Sequence, residues 1–192
     1  MRRADVRLVL GALLAAAAGC GYSPNPPSMK LICGPNSSCP EGYTCVAGTC
    51  WRPAEAEVAT RLAGRWVFGA NAKQKVTCSD GSHDDTDLQG PDGFIDLTLG
   101  TSSPLFSYYF CPWKLDVSGS STAIETGQSC SAPDMVNPSI TYTWHGDQLT
   151  LTSSDGKNGS LSASFPYDYV IAPATTIGGN CMMHINADLT KQ

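Results

Sequence analysis

The chain has 192 residues, a formal net charge of −5 and nine cysteines, and only 15% of its residues are charged. The acidic balance argues against nucleic acid or an anionic lipid surface as a partner, because both require basic patches. Charged residues make up about a quarter of a typical domain. The low fraction here, with Ser, Thr, Gly and Asn in their place, indicates an exported β protein.

The first nineteen residues follow the order of a secretory signal. Residues 1–7 are net positive, residues 8–18 are apolar, and the small residue Gly19 precedes Cys20. Eleven apolar residues are too few to span a bilayer, which takes about 20. This arrangement resembles the signal peptide and lipobox of a bacterial lipoprotein. The alternatives are a membrane helix, a buried helix, and a signal peptide cut after Gly19 without lipidation.

The resemblance implies removal of residues 1–19 and acylation of Cys20, with palmitate-type chains that anchor the protein in a lipid membrane. Gly21, where an Asp often retains such proteins at the inner membrane, favours the outer membrane of a bacterial cell envelope. The leader carries three Arg and one Asp, a net +2, so the remaining chain would carry −7. Lipidation of Cys20 would also leave eight cysteines, enough for four disulfides in an oxidising compartment.

Behind the anchor, residues 20–31 are predicted to form a Pro-rich tether and residues 32–51 a small Cys-rich module. A segment this short cannot bury a core, so disulfides must substitute for one. The interleaved pairing Cys33–Cys45 with Cys39–Cys50 is favoured because it pins both turns at once. Pairing of adjacent cysteines is the alternative, and a zinc site is the competing interpretation.

After a connector at 52–63 with a short helical pattern, residues 64–192 have the alternating pattern of an all-β domain. An antiparallel meander β-barrel is favoured over a sandwich of 8–9 strands. The clearest predicted hairpin joins residues 139–145 and 148–153. Candidate strands cover 65–70, 73–79, 93–99, 105–117, 122–129, 139–145, 148–153, 161–170 and 181–189.

The domain begins with Gly64-Arg65-Trp66, and this Gly-x-Trp is similar to the start of the first strand in lipocalins and related calycins. The resemblance implies a lipocalin-like barrel in which the Trp closes one end and a late basic residue packs over it. The matching late residue would be Lys191.

The four remaining cysteines allow two plausible arrangements within a sheet. Cys111 with Cys130, on strands expected to be joined by a turn at 119–120, leaves Cys78 to pair with Cys181. The order Cys78–Cys111 with Cys130–Cys181 is nearly as plausible.

The densest polar segment is residues 79–87, which is interpreted as a solvated loop. A calcium site is the alternative, since Ca²⁺ takes six to eight oxygens, and its candidate ligands are Asp80, Asp84, Asp85 and Asp87. No other metal and no cofactor is predicted. Three scattered histidines, His83, His145 and His184, and the absence of a Gly-x-Ser-x-Gly motif argue against a hydrolase-type enzyme.

Aromatic residues cluster between residues 106 and 113, where core packing is the favoured role. The functional interpretation is an apolar pocket in a barrel mouth, with Trp66, Tyr108, Phe110 and Trp144 as candidate lining residues. The sequence therefore predicts a non-enzymatic lipoprotein that holds an apolar small molecule or lipid. The alternative is a structural or interaction protein with a solid core that contacts envelope proteins through its loops and Cys-rich module.

Overall fold

The computed structural model describes residues 26–192, apart from residues 89–92, 102, 109–110, 135 and 174–176 and the side chains of residues 106, 108, 177 and 178. The predicted signal peptide, Cys20 and the first part of the tether lie outside the described residues. Strands dominate the described chain, and this confirms the predicted all-β class.

The described elements are one helix, fourteen strands and a 3₁₀ turn at Pro35–Ser37. In chain order they are β1 Thr44–Val46, β2 Thr49–Trp51, α1 Pro53–Leu62, β3 Gly64–Phe68, β4 Lys73–Cys78, β5 His83–Asp87, β6 Phe94–Leu99, β7 Leu105–Tyr108, β8 Pro112–Ser118, β9 Ser121–Ile124, β10 Ser129–Pro133, β11 Ile140–His145, β12 Gln148–Thr152, β13 Asn158–Ile171 and β14 Ile177–Lys191.

The Cys-rich module is a two-stranded hairpin of β1 and β2 held by two disulfides. Cys33 is bonded to Cys45 and Cys39 to Cys50, which is the favoured interleaved pairing. The hairpin turn has positive φ at both central residues, Ala47 and Gly48, as a tight turn between twisted strands requires. The module is thus fixed by covalent bonds and a turn.

Helix α1 occupies the predicted connector, but it is longer than the short helical pattern indicated. It buries Ala56, Ala59 and Leu62 along one stripe, and these join Trp51 and the strand residues in one hydrophobic cluster. The module and the β domain therefore share a core through α1. No helix within the described part of the chain is both long and apolar enough to cross a bilayer.

Eight antiparallel strands pair in a circuit. The order is β3, β6, β7, β8, β9, β12, β13 and β14, and β14 pairs again with β3. We call this circuit the ring. Its chain order is that of the predicted meander, with the pairs β4–β5 and β10–β11 inserted between ring strands.

The two inserted pairs flank an extension of the long β13–β14 hairpin. Residues 167–171 of β13 pair with β11, and residues 181–186 of β14 pair with β4. The result is a six-stranded sheet in the order β10, β11, β13, β14, β4, β5, continuous with the ring. We call this sheet the flare.

The predicted hairpin of residues 139–145 and 148–153 is wrong. Both strands exist, but β11 and β12 lie one after the other along the same edge of β13 rather than against each other. Gly146 makes the corner between them, where an added Cβ would lie 2.9 Å from Ile124 Cδ1 and 3.3 Å from Trp113 Cζ3. Alternating patterns identify the strands, but the choice of partner depends on tertiary packing.

Other predicted boundaries also change. The single strand expected at 105–117 is β7 and β8, with a break before Pro112, and the strand at 122–129 is β9 followed by the separate β10. Cys111 and Cys130 are bonded, although Cys111 precedes β8 and Cys130 lies on β10, whereas the turn at 119–120 joins β8 to β9. Cys78 is bonded to Cys181, its direct partner across β4 and β14.

Side chains fill the interior of the ring. Every ring strand contributes inward residues, and the fully buried ones include Trp66, Ile95, Leu97, Leu105, Trp113, Leu115, Leu149, Leu151, Phe165 and Ile185. The rings of Trp113 and Phe165 stack at 5.2 Å between centroids near the flare. Within the described residues, these side chains form a packed core in place of an internal ligand chamber.

Candidate functional site

One end of the ring is closed by helix α1, by Trp66 from the first strand of the ring and by Lys191 from the last. Trp66 Nε1 donates to Leu62 O at 2.8 Å, and Lys191 Nζ donates to Arg61 O at 2.8 Å. Both acceptors are backbone carbonyls of the last turn of α1. Carbonyls at this end of a helix have no hydrogen-bond partner within the helix, so the two side chains satisfy them. Lys191 Nζ also lies 5.8 Å from the Trp66 ring centroid, where a cation is attracted to the ring.

Gly64 makes this arrangement sterically possible. Its φ is +131°, and an added Cβ would lie 2.5 Å from Lys191 Cε. Burial lowers the pKa of Lys191. The lipocalin resemblance implies that Lys191 packs over Trp66, and Lys191 lies there, while the resemblance itself stays a prediction.

Two of the four residues predicted to line one pocket, Trp66 and Trp144, lie at opposite ends of the fold. On β14, Lys191 opposite Trp66 is ten positions from Cys181 opposite Tyr167, which is about 33 Å along an extended strand. Trp144 pairs with Tyr167 and so lies at the far end. Trp66 is fully buried at the closed end; the side chain of Tyr108 and all of Phe110 lie outside the described residues.

Trp144 instead lines an open groove on the flare. The groove lies on the face of the flare that continues the inner face of the ring. Alternate residues of neighbouring strands bring their side chains to this face. The groove has a volume of about 480 Å³. We call it the aromatic groove, and its lining residues are Gln74, Val76, Asp84, Tyr142, Trp144, Tyr167 and Met183.

The rings in the groove pack against one another as a continuous floor. The centroid of Tyr142 lies 5.5 Å from that of Trp144 and 5.8 Å from that of Tyr167. Tyr169, the direct cross-strand partner of Tyr142, lies 6.3 Å from it, edge to face. Such edge-to-face pairs contribute about 0.5–1.5 kcal/mol beyond burial, so the floor is internally stabilised.

Polar groups stand at the margins of this floor. Gln74 and Asp84 enter from β4 and β5, while Asp134 interacts with the hydroxyl of Tyr142 from the far side. Burial, with smaller contributions from nearby Tyr and Asp groups, raises the pKa of Tyr142 and of Tyr167. Both phenols therefore remain protonated at neutral pH and can donate as well as accept hydrogen bonds.

Two disulfides hold the strands that carry the groove. Cys130 is the direct partner of Trp144, and its bond to Cys111 ties β10 to the turn before β8. Cys181 is the direct partner of Tyr167, and its bond to Cys78 ties β14 to β4. These two links therefore fix β10 and β14, the strands on either side of β11 and β13, which carry the rings of the groove.

The predicted calcium ligands do not converge. Asp84 faces the aromatic groove, whereas Asp85 and Asp87 point to the opposite face of β5, where they pair with Lys75 and Lys73. Asp80 accepts the backbone N–H of Ser82 in the preceding turn. The segment was expected to be a loop, but His83–Asp87 is an edge strand whose charged side chains guard it against further pairing.

The three histidines lie on three different strands, His83 on β5, His145 on β11 and His184 on β14. His145 Nε2 lies 3.4 Å from Asp168 Oδ2 on the outer face of the flare, and both side chains are nearly half exposed. Within the described part of the chain, the one group of three metal-capable residues is Cys33, Cys39 and Cys50, whose sulfurs are already in disulfides.

Fold and groove together define the class: an all-β protein with a disulfide-stapled module, a filled ring and an open aromatic groove. No family model, curated protein or solved structure matches the chain. Of the residues in the groove, Trp144 is a predicted site residue, whereas Tyr142, Tyr167 and Gln74 are not. The spacing Tyr142-x-Trp144 and Tyr167-x-Tyr169 on two strands was the signal that could have found the rings.

Proposed function

We propose that this protein is a lipid-anchored, exported, non-enzymatic binding protein that contacts its ligand or partner through the aromatic groove. The single observation that carries the proposal is the contrast between a filled ring interior and an open groove on the flare. This function corresponds to the predicted solid-core alternative, with the contact surface on the flare instead of on the loops and the Cys-rich module.

The position of the groove relative to the predicted anchor supports this proposal. Pro26 and Met29 pack on the Cys-rich module, since Tyr43 Oη donates to Pro26 O and Met29 N donates to Cys50 O. The module joins α1 at the closed end of the ring. Six residues from Cys20 to Pro26 reach at most about 20 Å.

The groove lies about 30 Å along β14 from that end. An acylated Cys20 would thus hold the closed end near the membrane and leave the groove facing away from it. Two or more acyl chains on one residue would anchor firmly, because each buried CH₂ contributes about 0.8 kcal/mol. Placement at the outer membrane of a bacterial envelope rests on the lipobox and on Gly21.

The anchor is tested by expressing the full chain in a bacterial host with an alkyne-tagged palmitate analogue. We expect label on the wild-type protein, membrane recovery, and loss of both in Cys20→Ala. Label that persists in Cys20→Ala, or a wild-type protein without label, would overturn the lipid anchor.

The groove is tested with a photoreactive amino acid placed at position 142 or at position 143 of the exported full chain. Tyr142 faces the groove and Thr143 faces the opposite side of the same strand, where it bonds Ser131. Covalent adducts to protein or glycan are expected from position 142 and not from position 143. Equal yields from both positions, or none from 142, would exclude the groove as the contact surface.

A further inference from the structure

We infer that the aromatic groove binds a neutral saccharide chain, with the pyranose rings lying on Trp144 and its neighbours. This inference rests on the proposed function and specifies the ligand class of the same groove. Its evidence is the distribution of apolar and polar groups in the groove, the packing of the rings and the rigidity of the strands that carry them.

A pyranose presents C–H groups on its faces and hydroxyl groups around its rim. The groove matches this distribution, because its floor is aromatic and its margins carry the side chains of Gln74 and Asp84. The face of an aromatic ring is electron-rich and attracts the C–H groups. An amide donates and accepts hydrogen bonds, a carboxylate accepts them, and a phenol does both, so hydroxyls of either role can be satisfied.

The size and openness of the groove agree with a chain. Its volume of about 480 Å³ falls in the range of about 300–1,000 Å³ that small-molecule sites occupy. The floor extends across adjacent strands, since Trp144 is opposite Tyr167 and Tyr142 is opposite Tyr169. A saccharide chain can therefore lie across the rings of both strands.

Other ligand classes fit less well. A cation site built from aromatic rings needs ring faces around the cation, with each ring centroid within about 6 Å of it. The ring centroids here lie only 5.5–6.4 Å from one another, so the rings pack against each other instead of around a cation. A purely apolar ligand would cover the half-buried amide of Gln74 and remove it from water without offering a hydrogen bond in return, which costs free energy. A polyanion would meet Asp84, Asp134 and a net negative chain.

The groove is also preformed. Disulfides at Cys130 and Cys181 staple the strands directly opposite Trp144 and Tyr167. Met183, which is 4% exposed, packs beneath the floor on the core. A rigid floor reduces the ordering cost of binding, which matters for sugars because their hydroxyls already bond well to water.

The experiment is isothermal titration of the exported, disulfide-intact protein with cellohexaose, maltohexaose and chitohexaose. At least one sugar should bind saturably at millimolar concentration or below. Trp144→Ala should weaken that binding about tenfold or more, the factor set by about 1.4 kcal/mol. The matched control is His145→Ala, whose side chain points to the opposite face of the same strand, and it should bind as the wild type does.

Tryptophan fluorescence locates the bound sugar. Trp51, Trp66 and Trp113 are at most 1% exposed, so quenching by acrylamide reports mainly on Trp144, and a bound sugar should protect it. If Trp144→Ala fails to fold, Asp84→Ala serves instead, because Asp84 is exposed on an edge strand. That variant should weaken sugar binding several-fold with an unchanged Tm.

The failures are distinguishable. If none of the three sugars binds, or if binding survives in folded Trp144→Ala and Asp84→Ala, the saccharide assignment is wrong. Adducts from position 142 would then still support the groove as a contact surface. Choline that protects Trp144 while the sugars do not would replace the saccharide with an organic cation. Loss of both sugar binding and position-142 adducts would overturn the proposed function as well.

Discussion

Replacement of Gly64 by Ala tests how the closed end of the ring is held. The new methyl group would lie 2.5 Å from Lys191 Cε, at a residue whose φ is +131°. Backbone strain of this kind costs about 1–3 kcal/mol. Displacing Lys191 also breaks its bond to Arg61 O; a charged hydrogen bond contributes about 1.5–3 kcal/mol, and partial exposure of Lys191 favours the lower figure.

We therefore expect Gly64→Ala to lower the free energy of unfolding by about 2–4 kcal/mol, or Tm by about 10 °C at 2–4 °C per kcal/mol. The assay is urea unfolding of the disulfide-intact protein, followed by tryptophan fluorescence. Gly81→Ala is the matched control, since Gly81 has φ +86° but nothing within 4 Å of an added Cβ. It should lose only about 1 kcal/mol.

A double-mutant cycle separates the two contributions. If Gly64→Ala acts partly by displacing Lys191, then adding Lys191→Ala to it should cost about 1 kcal/mol less than Lys191→Ala costs alone. Strictly additive effects, or a Gly64→Ala variant no less stable than Gly81→Ala, would refute the proposed steric link between Gly64 and Lys191.

Three further predictions concern other parts of the fold. Gly146→Ala should lower the free energy of unfolding by about 1–3 kcal/mol through overpacking against Trp113; an unchanged urea midpoint would contradict this. Removing the Cys78–Cys181 bond by a double Ala substitution opens a separation of 103 residues and should cost about 4–5 kcal/mol; a loss below about 1 kcal/mol in urea unfolding would contradict it. Asp155 accepts N–H groups in the β12–β13 turn, which lowers its pKa. Its stabilisation is thus present above the unfolded pKa of about 3.9 and is lost as pH falls below it. The Tm gap between wild type and Asp155→Asn should shrink from pH 7 to pH 3, and a constant gap would rule this out.

Local signals in the sequence were sufficient for the elements with strong patterns. Alternating apolar residues identified β3, β12 and β13, and the turns between the four cysteines of the module favoured the pairing that the structure has. Gly64, Trp66 and Lys191 could be linked in advance only through a family resemblance. The edge strand at His83–Asp87 was missed because its five exposed residues carry no apolar alternation.

The aromatic groove shows the limit most clearly. Trp144 is visible in the sequence, but its neighbours come from β4, β5, β13 and β14, and nothing local states that β11 leaves β12 and pairs with β13. That choice depends on the corner at Gly146, where Ile124 and Trp113 leave no room for a side chain.

The sequence by itself determined the class of the protein: an acidic, cysteine-rich, all-β chain behind a predicted lipobox. These properties follow from composition, spacing and local alternation, which involve residues close together in the chain. Only the tertiary structure decided that the ring interior is filled and that the rings of Tyr142, Trp144 and Tyr167 meet in an open groove. The physical reason is that strand partners are selected by long-range packing, and a change of partner brings a different set of side chains together.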